Sequence, residues 1–473
     1  MSIIDLLRIF VIGVNVLALA YFLALNGVYL ISSLAAHNAL KSYFRRLGSV
    51  DIEELIAQSG APPITLLAPA YNEEATCVEA TRSLLTLRYP EYEVMVINDG
   101  SKDRTLQRLQ EAFDLVPASR APTSMLKTKS VRAVYKSKNY PNLWVIDKDN
   151  GGKSDALNVG INFANTPLFC AMDADSLLEP DALIRMARIF LEDQRTVAAG
   201  GSIRIANECV IEDGYITDIR FPKKFLPAIQ VVEYLRAFLA GRMGWSALNA
   251  TLIISGAFGV FKRSVVVEAG GYSTDTVGED MELIIRLHRV LREKKQPYRI
   301  TFVPDPVAWT EAPEKYRVLA RQRDRWQRGL WEALWRHRVM LLNPRYGRVG
   351  MLAYPYFFFL ENLGPLIELI GYIGFAVTII FKWLAPLYTV TFLLVAIVLG
   401  ISLSFIALGL EEITFRKYKR LSDLLRMFLL VIVENVGYRQ FIIFIRVRGM
   451  LSVLRKRHEW GTMDRKGFGA KAE

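Results

Sequence analysis

The sequence predicts an α/β domain with a mostly parallel sheet, joined to α-helical segments that span a membrane or lie on it. Of the 473 residues, 52% are hydrophobic and 22% are charged, a mixture that neither membrane helices nor a soluble domain alone would give. The long apolar runs lie towards the two ends of the chain. Between them, short apolar runs alternate with helical periodicity, as in a parallel sheet covered by helices.

The charge of the chain favours a membrane surface over nucleic acid as its partner. Lys and Arg number 59 against 47 Asp and Glu, a net charge of +12, and much of the excess lies beside apolar segments. The three cysteines, Cys77, Cys170 and Cys209, are far apart and lack the spacing of metal ligands. They predict a reducing, cytosolic environment.

The first apolar run, residues 9–34, is long enough to cross about 30 Å of hydrocarbon. Three basic residues follow it: Lys41, Arg45 and Arg46. Because basic residues tend to stay on the cytosolic side of a membrane, the part of the chain after this span is predicted to be cytosolic.

The central part of the chain contains four short apolar runs that predict buried strands: residues 64–67, 94–97, 143–146 and Leu168–Met172. A polar or glycine-rich turn and then helical periodicity follow each run, so the chemistry of the domain is expected at the carboxyl ends of its strands. Residues 225–245 have helical spacing. They predict either a helix at the membrane interface or an amphipathic core helix.

Towards the end of the chain, residues 366–384 and 387–408 predict two membrane spans. Glu368 lies near one end of the first, where interfacial water is within reach. Residues 427–445 have basic flanks and carry charged residues such as Glu434 in the middle. This pattern favours a re-entrant or channel-lining segment over a simple span.

Together these segments predict a multi-pass protein of the plasma (inner) membrane with four parts. The parts are an N-terminal transmembrane helix (1–36), a cytosolic domain with interfacial helices (37–345), a C-terminal transmembrane and interfacial region (346–460) and a polar tail (461–473). All the candidate site residues lie in the second part.

Polar segments follow the four predicted strands. They are Tyr71-Asn72-Glu73, Asn98-Asp99-Gly100-Ser101, Gly152-Lys153-Ser154 and Asp173-Ala174-Asp175. Each segment alone is explained by turn chemistry or helix capping. Because the carboxyl ends of parallel strands meet at one edge of a sheet, together they predict a site for a nucleoside and its phosphates. The phosphate loop of nucleoside triphosphatases is excluded, since its first glycine would fall at Asp147.

Asp173 and Asp175 are two residues apart, so in an extended backbone their side chains point the same way. Two carboxylates can hold Mg²⁺ or Mn²⁺, which binds few protein carboxylates together with substrate phosphates. An ion that bridges a diphosphate makes it a better leaving group. Taken alone, the pair fits a solvated turn before a helix better.

Gly278-Glu279-Asp280 comes directly before the helical run 281–291. Sugar transfer to a hydroxyl needs a base near the attacking oxygen, and a carboxylate can serve. Acidic residues are also favoured in the first turn of any helix by the helix dipole. The spacing alone leaves these two interpretations equal.

Gln322, Arg325 and Trp326 are at positions i, i+3 and i+4 and share one face of a predicted helix. An indole offers a flat platform for a sugar ring, and Arg and Gln can hold diphosphate oxygens. The alternative is a basic helix at the membrane interface, which Arg321 and Arg328 favour.

In this order, the motifs resemble the membrane-integrated, processive family 2 glycosyltransferases, which include the cellulose, hyaluronan, chitin-oligosaccharide and poly-N-acetylglucosamine synthases. The resemblance covers residues 62–330, includes Ser255-Gly256 and continues into the membrane part. It implies a GT-A nucleotide-binding fold and a nucleoside-diphosphate sugar donor. It also implies inversion by direct displacement, without a covalent intermediate.

The resemblance implies that Asp280 is the base and that Asp175 binds the metal, Mg or Mn. The donor would be bound by Tyr71, Glu73, Asp99, Lys153, Asp173 and Asp175. The diphosphate and the acceptor would be held by Glu279, Gln322, Arg325 and Trp326.

The implied reaction moves a sugar, N-acetylglucosamine or glucose, from a uridine-linked donor to the end of a growing polysaccharide that crosses the membrane. The alternative is the addition of one sugar to a lipid or glycolipid acceptor. The implied partners are the donor, the glycan and the bilayer, with room for an accessory membrane or export subunit. The base triplet reads Gly-Glu-Asp where cellulose and poly-N-acetylglucosamine synthases tend to have Thr-Glu-Asp, so the donor sugar stays open.

Overall fold

The computed structural model describes residues 2–47, 60–174, 176–212, 215–383, 386–418 and 420–453. Asp175, the predicted metal ligand, and the predicted polar tail therefore lie outside the described residues. The α-helices are α1 Ile3–Leu47, α2 Cys77–Leu85, α3 Thr105–Phe113, α4 Lys153–Phe163, α5 Ala182–Glu192, α6 Phe225–Leu235, α7 Met243–Ala247, α8 Arg263–Glu268, α9 Glu279–Glu293, α10 Tyr316–Arg336, α11 Gly364–Ile380, α12 Pro386–Leu393, α13 Leu399–Phe415, α14 Leu421–Val433 and α15 Arg439–Val453.

Wider π-helical turns extend or link several of these helices, at Arg236–Arg242, Val349–Ala353, Tyr356–Asn362 and Leu394–Val398, while Glu434–Tyr438 joins α14 to α15 across a kink. Short 3₁₀ turns cover Arg338–Met340 and Pro344–Tyr346. The strands are β1 Ile64–Ala70, β2 Tyr92–Asp99, β3 Leu115–Pro117, β4 Val131–Ser137, β5 Leu143–Lys148, β6 Leu168–Met172, β7 Leu177–Leu178, β8 Thr196–Ile205, β9 Val210–Glu212, β10 Tyr215–Asp218, β11 Phe258–Lys262 and β12 Arg299–Thr310.

The main sheet has the strand order β3-β4-β5-β2-β1-β6-β11-β8-β12-β7. Its centre, β5-β2-β1-β6, is parallel, so the carboxyl ends of these four strands meet at one edge. Antiparallel neighbours flank this centre on both sides, β4 beside β5 and β11 beside β6. The predicted fold class, an α/β domain with a mostly parallel sheet, is confirmed, and the chain adds several long apolar helices that can span a membrane.

Two hydrophobic cores lie on opposite faces of the sheet because successive strand side chains alternate. Leu66 and Val94 pack in one core with α2, α3, α5 and the end of α1. Leu67 and Met95 pack in the other with α4, α8 and α9. Gly160 lets α4 lie close on β1, since a Cβ there would be 2.7 Å from the side chain of Leu67. This contact fixes the helix whose first residue is Lys153.

The helix predicted across residues 225–245 forms as α6, a π-helical turn and α7. Its first part is buried and contacts both β8 and α14. The burial of α6 therefore agrees with the core-helix interpretation, and α6 joins the sheet to α14.

By length and composition, three helices of the described part of the chain can cross a membrane: Ile3–Leu47, Pro386–Phe415 and Leu421–Val453. A fourth crossing would be formed by the pair Val349–Asn362 and Gly364–Ile380, whose axes differ by 44°. The first predicted C-terminal span is thus part of a bent pair, because the chain turns before Gly364.

Residues 427–445, predicted to be re-entrant, lie within the candidate span Leu421–Val453. The helix is nevertheless broken at Val436 and Gly437, where the backbone leaves helical φ/ψ and Gly437 has φ +85°. Glu434 lies beside the break and faces protein, as expected for a charged group at membrane depth.

Candidate active site

A cavity of about 1790 Å³ opens at the carboxyl edge of the parallel strands and continues between the apolar helices. Every predicted site residue that the structure describes lines it: Tyr71, Glu73, Asp99, Lys153, Asp173, Glu279, Asp280, Gln322, Arg325 and Trp326. The motifs are spread over more than 250 residues of sequence, so the fold brings them together as the strand-end argument predicted.

Lys153, the first residue of α4, links three of the motifs. Its Nζ bonds the carboxylate of Asp173, donates to the backbone oxygen of Gly256 at 3.1 Å and lies 3.7 Å from Oε1 of Glu279. Burial alone would lower the pKa of Lys153, but the negative charges of Asp173 and Glu279 outweigh it and raise that pKa. The site therefore holds a buried ammonium, a suitable partner for phosphate oxygens.

Asp280 lies in the first turn of α9 with both carboxylate oxygens oriented by backbone donors. Oδ2 accepts from the N–H of Gly256 at 3.0 Å, and Oδ1 accepts from the N–H of Met281 at 2.7 Å. Gly256 thus donates to Asp280 through its N–H and accepts from Lys153 through its carbonyl. Gly256 therefore links Asp280, the predicted base, to Lys153, a predicted donor-binding residue.

Glu279 is buried beside them, with 8% of its side chain exposed. Burial raises the pKa of its carboxyl group; Lys153 opposes that shift and the neighbouring charge of Asp280 adds to it. Three acidic side chains, Asp173, Glu279 and Asp280, therefore surround one lysine.

Asp99 holds the loop that carries Lys153. Its Oδ1 accepts from the N–H of Gly151 at 3.0 Å and its Oδ2 from the N–H of Gly152 at 2.8 Å. Lys148, whose side chain is fully buried, bonds Asp99 and lies 2.8 Å from Asp155. Lys148 was not among the residues predicted from the sequence. The signal in the sequence was a lysine two residues after the predicted strand 143–146, and the structure pairs it in register with Asp99.

Tyr71 and Glu73 follow β1 at the same edge of the sheet. Tyr71 is 45% exposed, and the carboxylate of Glu73 accepts from the hydroxyl of Thr76 at 2.8 Å. The tyrosine ring is available to stack on a base, so its predicted nucleoside role is compatible with this geometry.

On α10, the predicted face of Gln322, Arg325 and Trp326 lines the cavity. Oε1 of Gln322 is buried and has no hydrogen-bond partner in the described part of the chain, which leaves an acceptor for a bound hydroxyl. Trp326 is 43% exposed. The guanidinium of Arg323 lies 4.3 Å from its ring centroid and is held by Glu233 at 2.6 Å.

The start of α9 approaches α10 at two glycines. A Cβ on Gly278 would lie 2.7 Å from the Cα of Gly329, nearer than real Cβ contacts. This contact gives a physical reason for glycine, instead of threonine, before Glu279-Asp280 in this chain. It also sets the spacing between the helix of Asp280 and the helix of Trp326.

The carboxylate oxygens at the carboxyl end of β6 suit a hard divalent cation only together with oxygens of the substrate. Within the described ranges, no group of three or more His, Cys, Asp or Glu is arranged to hold a metal ion. Asp173 offers carboxylate oxygens and is 32% exposed. Since Mg²⁺ binds few protein carboxylates and completes its shell with water and phosphate, the residues present fit such an ion.

A family model described as "Glycosyltransferase like family 2" matches residues 62–329. Poly-beta-1,6-N-acetyl-D-glucosamine synthase of Staphylococcus aureus (strain COL) is 30% identical over 274 residues, which cover 58% of this chain and 56% of the relative. The enzyme of the same name from Staphylococcus epidermidis is 30% identical over 273 residues, with the same shares of 58% and 56%. The chain thus spans about half the length of the curated relatives it matches.

Among solved structures, the mannosyltransferase PcManGT from Pyrobaculum calidifontis, in complex with GDP-Man and Mn2+, is similar with a TM-score of 0.49 and 17% identity. The alignment covers 88% of this chain and 99% of that one.

Proposed function

The chain belongs to the family 2 glycosyltransferases, and from this premise we propose that it extends a polysaccharide with sugars from a uridine-linked nucleoside-diphosphate donor. The transferred sugar is N-acetylglucosamine or glucose. One observation carries the proposal: the cavity lined by Lys153, Asp173 and Asp280 is also lined by residues of the apolar helices. A growing chain can therefore leave the site along the membrane helices while its end stays beside Asp280.

In the proposed reaction, the acceptor hydroxyl attacks the anomeric carbon of the donor sugar and inverts it. Asp280 takes the proton of that hydroxyl as the new glycosidic bond forms. The bond from the anomeric carbon to the diphosphate breaks at the same time, and nucleoside diphosphate leaves. The backbone bonds from Gly256 and Met281 keep the carboxylate pointed at the acceptor.

Positive and amide groups receive the donor diphosphate. Lys153 is pre-positioned between Asp173 and Glu279, and Gln322 and Arg325 approach from α10. Mg²⁺ or Mn²⁺, held by Asp175 with Asp173 nearby, would neutralise charge on the leaving diphosphate. Tyr71, Glu73 and Asp99 enclose the nucleoside end of the cavity.

Processive addition is supported by the position of Trp326. One side of the indole meets Arg323, and the residue keeps 43% of its surface exposed at the cavity wall, which suits stacking on the sugar ring at the growing end. The proposal places the α/β domain in the cytosol, since Lys41, Arg45 and Arg46 lie at the end of α1.

The test is the full chain, purified into lipid with Mg²⁺ or Mn²⁺ and supplied with a panel of nucleotide sugars. We expect nucleoside diphosphate release from uridine-linked N-acetylglucosamine or glucose, together with long products. Addition of a single sugar at saturating donor would reject polymer synthesis and favour transfer to a lipid or glycolipid acceptor. Chelation of the metal is expected to stop both readouts.

A further inference from the structure

The membrane side of the cavity contains four carboxylates, each paired with its own arginine. The pairs and their N–O distances are Glu233–Arg323 at 2.6 Å, Glu361–Arg446 at 3.6 Å, Glu368–Arg439 at 2.9 Å and Glu434–Arg236 at 2.7 Å. All eight residues line the cavity. Glu368 lies at the cavity wall, where Tyr21 of α1 and Arg439 of α15 contact it.

Tyrosine hydroxyls complete three of these pairs. Tyr438 donates to Glu233 at 2.9 Å, Tyr356 to Glu361 at 2.8 Å and Tyr21 to Glu368 at 2.9 Å. The three Tyr–Glu–Arg clusters come from different helices, and their tyrosines also line the cavity. The same arrangement therefore recurs along this part of the wall.

The formal charges of the four pairs cancel. Over the whole cavity, the described lining residues include eleven Lys and Arg against thirteen Asp and Glu, so the wall has no excess of positive charge. An anionic chain would bring unpaired negative charge to membrane depth, where one charge is costly without a counter-charge. Uncharged hydroxyl and amide groups can instead share hydrogen bonds with the paired carboxylates, guanidinium groups and tyrosines.

Flat apolar surfaces accompany these polar clusters. The ring centroids of Trp245 and Tyr356 are 5.1 Å apart, and both residues line the cavity. Such rings suit the apolar faces of pyranose sugars, while the neighbouring cluster at Glu361 faces their hydroxyls.

We propose that the three Tyr–Glu–Arg clusters form a glycan path that accepts an uncharged polysaccharide and excludes one carrying carboxylates. The inference rests on the proposed function, since it requires a polysaccharide in the cavity, and it adds the class of polymer and the residues that select it. The acidic members are the selecting groups: each cancels an arginine that would otherwise attract an anionic sugar.

The experiment uses the full chain in proteoliposomes with donor and two primers of equal length. One primer is a neutral N-acetylglucosamine oligosaccharide, long enough to reach from Trp326 past Tyr356. The other carries a C6 carboxylate on sugars far from the growing end. The wild-type protein is expected to extend the neutral primer at least ~10-fold better.

Glu368→Gln leaves Arg439 without its counter-charge and keeps an acceptor for Tyr21. This variant is expected to extend the carboxylated primer several-fold better than the wild type does. Glu361→Gln repeats the test beside Arg446 should Glu368→Gln fail to fold. The matched control is Glu411→Gln, because Glu411 pairs with Arg204 in a still more buried position but does not line the cavity.

The outcomes separate the two proposals. Extension of neither primer by the wild type would reject polymer synthesis itself. Equal extension of both primers would overturn charge selection alone. Charge selection would also be overturned if Glu368→Gln and Glu361→Gln leave the ratio of neutral to carboxylated primer extension unchanged. The same conclusion would follow if Glu411→Gln changes this ratio equally, since either result would mean that the pairs are purely structural.

Discussion

Carboxylates are used differently at the two ends of one cavity. At the proposed catalytic end, Asp173, Glu279 and Asp280 surround a single lysine, Lys153. At the end between the apolar helices, here called the membrane end, each of four carboxylates has its own arginine. Because three carboxylates share one lysine, carboxylate oxygens remain that can accept a proton or bind a cation, as sugar transfer requires. The four Glu–Arg pairs can form hydrogen bonds but carry no net charge, as passage of a neutral polysaccharide requires.

The largest effect is expected from removing the charge of Asp280. Asp280→Asn keeps the shape of the side chain, but its single oxygen can accept only one of the two bonds from Gly256 and Met281. The amide cannot take a proton, so transfer should fall roughly 10²–10⁴-fold. Nucleoside diphosphate release measures the rate, and donor binding should stay within a few-fold. Glu293→Gln is the control, at the far end of the same helix. Retained turnover in Asp280→Asn would reject its role as base.

The next effect concerns the distance between the two catalytic helices. Gly278→Thr places side-chain atoms against the backbone of Gly329, and overpacking of this kind costs about 1–3 kcal/mol. We expect transfer to fall by roughly tenfold or more as Asp280 and Trp326 move apart.

Gly409→Ala tests whether the loss is specific to that contact. A Cβ at Gly409 meets nothing within 4 Å, so this variant should keep its activity. Wild-type rates in Gly278→Thr would show that α9 and α10 tolerate a wider separation.

Trp326→Ala should affect product length more than donor use. Loss of the stacking surface should weaken binding of the growing end by on the order of 1 kcal/mol. Products should therefore shorten several-fold, while donor affinity changes little. Trp335→Ala is the matched control: Trp335 is on the same helix, is 50% exposed and stacks on Trp331 away from the cavity. Trp326→Phe should recover part of the length. Equal product lengths in all three variants would remove the platform role.

Sequence patterns predicted which residues meet at the carboxyl edge of the sheet, but they did not predict the Glu–Arg pairs between the apolar helices. Residues such as Asp99 and Asp173 follow predicted strands, and parallel topology alone brings such positions to one edge. The role assigned to Asp175 stays a prediction, since it lies outside the described residues.

The membrane pairs depend on contacts that local periodicity does not encode. Glu368 and Arg439 are 71 positions apart, and their helices meet only because α1, α11 and α15 pack together. The charged residue Glu434 within an apolar run predicted that this segment faces protein, but it did not identify Arg236 as its partner. Lys148 was missed for a related reason: its two acidic partners come from a neighbouring strand and from α4.

The last prediction concerns the pH dependence of stability, for which no change in the rate of transfer is expected. His288 lies on α9, two turns beyond Asp280, and is fully buried between the hydroxyl of Tyr298 at 2.7 Å and the carbonyl of Thr251 at 2.9 Å. Burial lowers the pKa of His288 to about 4, below its unfolded value of about 6.5. Between these values the unfolded chain binds a proton that the folded one does not, so stability falls as pH falls.

The contribution of His288 should therefore be complete above about pH 6.5 and lost as pH falls towards 4, by at most roughly 3 kcal/mol. Thermal unfolding from pH 7.5 to 4.5 measures it, with His288→Gln as the comparison. The variant should be less stable at pH 7.5 and show a shallower pH dependence than the wild type. Parallel curves would mean that burial does not keep the ring neutral over this pH range, and that His288 does not contribute to the acid sensitivity of the fold.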